Sequence, residues 1–105
     1  MHEIKIPKKV RVAGFPYSIR MGIEVDKELN SSDNWGKCSN LLRVIKLATV
    51  GVDVTAIQLS ESFIHEVLHA INCVYGGDRL EERDIKALTA GLHQVFEQLG
   101  IRFIK

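Results

Sequence analysis

Apolar and polar positions along this chain change their period near the middle. In the first half they alternate. Val10-Arg11-Val12 and Tyr17-Ser18-Ile19-Arg20-Met21 each read as a strand, and residues 13–16 between them read as a turn, which predicts a hairpin. Residues 26–34 are rich in Asn, Ser and Asp and read as a loop. Residues 35–38 and 42–47 suggest a second strand pair turning at Ser39-Asn40. Trp35 in that pair is read as packing, with no function assigned.

From about residue 54 the spacing becomes three and four, the period of a helix. Thr55-Ala56-Ile57-Gln58 can open a first helix as a capping box, and Gly76-Gly77 ends it. Asp78, with Glu81 three residues on, can cap a second helix. That helix carries Ile85, Leu88, Leu92, Phe96 and Leu99 and stops near Gly100. Residues 101–104 follow as a short apolar strand that closes the sheet or, in a latent enzyme, fills a substrate groove. One domain over residues 1–105 is expected, with strands mainly in 1–50 and helices at 54–76 and 79–99.

The first helix is apolar on most sides but carries one polar stripe: Gln58, Ser62, His65, His69 and Asn72. A polar stripe on a buried helix must face a cleft, a metal or a buried network. Inside it lies His65-Glu66-Val67-Leu68-His69, the pattern His-Glu-x-x-His. Positions i and i+4 share a helix face, so both imidazoles can reach one ion. Glu66 projects beside that face, where it can hold a metal-bound water rather than the metal. The plainer alternative makes His65 and His69 satisfied core or surface histidines and Glu66 a solvated charge. Cys73, four residues past His69, is excluded as a further ligand because a straight helix rises about 6 Å over four residues.

Charge and composition narrow the field. Fourteen basic and thirteen acidic residues give a net charge of +1, with both signs interspersed, so nothing marks a nucleic-acid surface. Lys8-Lys9-Val10-Arg11 reads as a solvated strand face. No early apolar run resembles a signal peptide, and no stretch reaches membrane-spanning length. Cys38 and Cys73 are far apart in sequence, and a cytoplasmic protein with free thiols is expected.

The segment from Ser62 to Phe96 resembles the small zinc-metallopeptidase-like proteins of phages and prophages and, more distantly, the ImmA/IrrE type and other minimal gluzincins. The resemblance lies in Phe63-Ile64-His65-Glu66-Val67-Leu68-His69-Ala70-Ile71, the Tyr75-Gly76-Gly77 link, Leu80-Glu81-Glu82, and Ile85 through Leu92. It implies an α+β, minimal zincin-like domain: a small, mainly antiparallel sheet packed on the active-site helix, then a helix carrying an acidic ligand. It implies one zinc ion held by His65, His69 and a glutamate in the form Glu-x-x-apolar-x-x-apolar, which Glu82 fits with Ile85 and Leu88. Helical phase puts Glu81 at the centre of the apolar stripe and Glu82 at its edge, where a ligand facing the neighbouring helix belongs. Glu82 is preferred, and Glu81 stays as the alternative.

Eleven residues past Glu82, about 16 Å along the axis, His93 cannot share an ion with it and reads as a surface residue. Tyr75 stands where a third histidine would complete the metzincin pattern. Larger relatives supply a downstream Tyr or His to the oxyanion; the phenols here, Tyr17 and Tyr75, sit in no such motif. The implied activity is hydrolysis of a peptide or protein substrate in a bacterial or phage-infected cell, with Glu66 as general base. The peptide would lie along a sheet edge, expected at residues 42–47. The alternative is a catalytically inactive zinc-binding interaction or regulatory protein.

Overall fold

The computed structural model describes residues 1–51 and 53–105. The chain is α+β, with three helices and a mixed four-stranded sheet. Strand β1 is His2–Lys5, β2 Lys9–Val12 and β3 Phe15–Arg20. Helix α1 (Ile23–Ser31) leads to β4 (Gly36–Ser39) and β5 (Val44–Leu47). Helices α2 (Ala56–Val74) and α3 (Glu82–Gln98) and strand β6 (Ile101–Ile104) complete it.

The sheet has the order β2-β3-β5-β4. The predicted hairpin is there, but its turn is only Ala13-Gly14, both at positive φ (50° and 84°), as a two-residue connection of twisted strands requires. Phe15 and Pro16 therefore belong to β3. Proline is tolerated because β5 pairs with β3 only from Ser18 onward. The second predicted pair, β4 and β5, is antiparallel. However, β5 runs parallel to β3, so the sheet is mixed, with two antiparallel pairs and one parallel pair.

Alternation then sets the core. Tyr17, Ile19, Ile45 and Leu47 turn toward α2 and pack with Leu59, Phe63 and Ala70. Each buried aliphatic or aromatic side chain contributes roughly 1.5–3 kcal/mol.

Residues 26–34 are not the expected loop, because α1 covers most of them. Two residues among the polar ones decide this. Leu29 is fully buried, and the Asp26 carboxylate accepts from the backbone N–H of Thr49 (2.7 Å), the Thr49 hydroxyl (2.9 Å) and the Val50 N–H (3.3 Å). Lys46, on the outer face of β5, pairs with Glu28 at 2.8 Å.

Strand β6 neither closes the main sheet nor enters a groove. It pairs in parallel with β1 as a separate two-stranded sheet. Phe103 explains this placement: its ring lies 4.9 Å from Phe63 and 5.8 Å from Phe96, between α2 and α3. Its N–H donates to the Ser60 hydroxyl at 3.0 Å. Among the described residues, no helix is long and apolar enough to cross a membrane.

Candidate metal centre

Helix α2 opens at Thr55, whose side chain accepts from the N–H of Gln58 at 3.1 Å. The Gln58 side chain does not complete a capping box. It turns to Ser62 instead, 3.1 Å away. At the other end Asn72 is buried and clamps the link to α3: its side-chain oxygen accepts from the Leu80 N–H and its amide donates to the Leu80 carbonyl, both at 3.2 Å. The polar stripe thus divides by position. Gln58 and Ser62 line a cavity, Asn72 fastens the interhelix link, and the two histidines lie between them.

The cap of α3 differs from the sequence expectation. Glu81, not Asp78, is the N-cap. Its side chain accepts from the Asp84 N–H, while the Asp84 carboxylate accepts from the Glu81 N–H at 2.9 Å. Asp78 instead takes a left-handed φ of 58° in the link. With Glu81 used for capping, Glu82 meets α2: its carboxylate oxygens lie 2.9 Å from His65 Nε2 and 2.9 Å from His69 Nε2. The two Nε2 atoms are 3.2 Å apart. Ligands about 2.0–2.1 Å from a tetrahedral zinc ion lie about 3.3 Å from one another, so these spacings fit one ion. His65, His69 and Glu82 are the group among the described residues whose ligand atoms converge within 4.8 Å.

Proton bookkeeping sharpens the point. The Thr89 hydroxyl donates its single proton to the Ile85 carbonyl at 2.7 Å. At 3.1 Å from His65 Nδ1 it can then only accept, so His65 carries its proton on Nδ1. His65 Nε2 therefore presents a lone pair to a carboxylate oxygen. Burial lowers the His65 pKa, ahead of the opposing pull of Glu82.

Glu66 stands apart from this group. It is 6 % exposed and projects toward the sheet, where Gly36 of β4 makes room for it. A Cβ at position 36 would lie 2.8 Å from Glu66 Oε2. Burial, and secondarily the charge of Glu82, raises the Glu66 pKa to about 8. The carboxylate opens on a cavity of about 660 Å³, lined also by Trp35, Gly36, His65, Lys86 and Thr89.

Other candidates fall outside. Cys73 is not in the converging group. Tyr17 is core, donating to the Asn40 side chain at 2.8 Å, and Tyr75 is an exposed C-cap; neither lines the cavity. His93 is half-buried rather than a plain surface residue, and its Nδ1 has no partner among the described residues. Strand β5 is interior, so residues 42–47 offer no edge; the edge beside Glu66 is β4. Sequence reasoning passed over Thr89 and Lys86. Thr89 lies seven residues after Glu82, two turns along the same face, and that spacing is the signal that would have found it.

No protein-family model, curated protein or solved structure matches the chain.

Proposed function

We propose that this chain is a zinc-dependent peptidase of minimal zincin-like build, with His65, His69 and Glu82 as ligands and Glu66 as general base. One observation carries the reading: three metal-ligating groups converge with a lone pair facing a carboxylate, beside a buried second carboxylate, Glu66, that opens on a cavity. Three protein ligands from two histidines and one carboxylate are the donor set of a catalytic rather than a structural zinc site. Such a set also accepts iron, manganese or cobalt, so zinc is the part of the proposal that metal analysis addresses.

When bound, zinc supplies a Lewis acid for the scissile carbonyl and lowers the pKa of a bound water toward about 7. The rest falls to the chain. Thr89 holds the His65 tautomer, and Asn72 fixes the link that brings Glu82 in. Glu66 would take the proton of the attacking water and hand it to the leaving amine. Strand β4 offers the backbone groups of a free edge to an extended peptide.

The test is metal content of protein purified without added metal, then cleavage of a peptide mixture by wild type and Glu66→Gln. About one zinc per chain is expected, retained in Glu66→Gln, with cleavage at least about 100-fold slower. A folded chain that takes up no zinc, or a fully active Glu66→Gln, refutes the proposal.

A second reading is a metal-holding interaction protein without turnover. It draws on the outer face of α3, where Leu88, Leu92, Val95 and Leu99 are all partly exposed at helical spacing. Zinc retention with no cleavage by wild type would favour it.

A further inference from the structure

We propose that the cavity beside the metal centre selects peptides by a basic side chain, lysine or arginine, placed within about three residues of the scissile bond. The scissile bond belongs to the peptidase reading above, on which this inference rests; the binding chemistry stands on the cavity itself.

The cavity runs along α2 from Gln58 to His65. Seven residues of helix span about 10 Å. An extended peptide at roughly 3.3 Å per residue covers that length in about three residues. Lys86 and Thr89 of α3 lie at the His65 end. Asp53 lies at the other, ahead of the α2 cap. Asp33 and Trp35 share a smaller recess with Gly51, which sets them at that same remote end, and Glu61 lies between.

Charge along this path is one-sided. The whole chain is balanced, with 14 basic and 13 acidic residues, yet three carboxylates besides Glu66 (Asp33, Asp53 and Glu61) line the cavity against one ammonium, Lys86. Among the described residues, Asp33, Asp53 and Glu61 form no ion pair with a basic group. A second observation is independent of that cluster. Glu66, 6 % exposed as a whole residue, lines the same cavity, and among the described residues its carboxylate makes no hydrogen bond. Such an environment takes a cationic or hydrogen-bond-donating group more readily than an anionic one.

A lysine or arginine matches the shape as well as the charge. Its aliphatic stem can lie against Trp35 and Gly36, its head can reach the remote carboxylates, and an indole ring is a favourable neighbour for a cation. Lys86, at the metal end, disfavours a second cation next to the scissile bond, which places the preferred basic residue farther along.

The experiment uses short internally quenched peptides, acetylated and amidated so that a side chain is the sole cation. One position at a time carries Arg, Gln or Glu, and the zinc-loaded protein is assayed for kcat/KM. Arg is expected to exceed Gln by about tenfold at a position within three residues of the cut, with Glu below Gln. Asp53→Asn combined with Glu61→Gln should bring the Arg-to-Gln ratio to within about twofold, and Glu61→Lys should turn the preference toward Glu. A ratio near one, or a ratio unchanged in the folded variants, overturns the proposal. Should wild type cleave none of them, the same peptides are titrated by fluorescence anisotropy. Tighter binding of the Arg peptides that the double variant abolishes then upholds the pocket and rejects the peptidase; equal binding of all three rejects the pocket.

Discussion

The hydroxyl of Thr89 has one proton and two neighbours, and its donation to the Ile85 carbonyl decides what His65 can do. Thr89→Val keeps the shape and removes the acceptor. We expect zinc affinity to fall about 10–100-fold, measured against a chromophoric chelator, with the fold intact. Unchanged affinity would remove Thr89 from the site. Glu66 supplies a second residue-scale expectation. Its folded pKa, about 8, lies above the ordinary carboxyl value of 4.5, so the protonated form is favoured by folding. That contribution, at most a few kcal/mol, is complete below about pH 4.5 and is lost as pH rises through about 8. His65 acts in the opposite sense, since its pKa is lowered by burial and its contribution fades toward acid. The Glu66 part is isolated by comparison: metal-free wild type should lose stability relative to metal-free Glu66→Gln between about pH 4.5 and 8 in urea titrations. Parallel profiles would count against a buried, protonated Glu66.

At the scale of elements, the site depends on how α3 leaves α2. Asn72 makes two hydrogen bonds to Leu80, two residues before Glu82. Asn72→Ala should cost about 1–3 kcal/mol in stability and also weaken zinc binding, because the link that sets Glu82 is released. Loss of stability with zinc affinity unchanged would make the clamp merely structural. The same region shows what the sequence could and could not tell. Two histidines four apart were readable because helical geometry alone puts them on one face; the glutamate was implied by the resemblance, with Glu81 left as the alternative, since phase says little at the first residue of a helix. The rotation of α3 was not readable. Apolar spacing pointed Leu88 and Leu92 inward with Ile85, but drawing Glu82 and Thr89 to His65 turns the helix. Ile85 and Thr89 are buried, while Leu88 and Leu92 stay 46 % and 37 % exposed. Helix α1 was missed because its helical face amounts to Leu29 and the buried carboxylate of Asp26, and polar composition outweighed them. Interior β5 and edge β4 could not be told apart, since strand order is fixed by the parallel β3–β5 pairing between distant segments.

Over the whole molecule, the core lies between the sheet and α2, whereas α3 buries only Ile85 and Thr89. Helix α3 is therefore held less by this core than by what joins it to α2. A bound ion would tie the two helices together. Zinc at about 100 times its Kd adds about 2.7 kcal/mol. Chelation should accordingly lower Tm by about 10 °C or more, with hydrogen exchange rising first in α3. Equal Tm with and without zinc would mean that the ion does not join the helices.

The β1–β6 pair carries a consequence in time. Its partners are His2 to Lys5 and Ile101 to Ile104, so the pairing joins residues 99 positions apart. At 5–20 residues per second, a ribosome leaves β1 without its partner for about 5–20 s. Helices α2 and α3 both precede β6, so His65, His69 and Glu82 are all synthesised before β1 can be paired. The first strand of the chain is therefore among the last to be fastened.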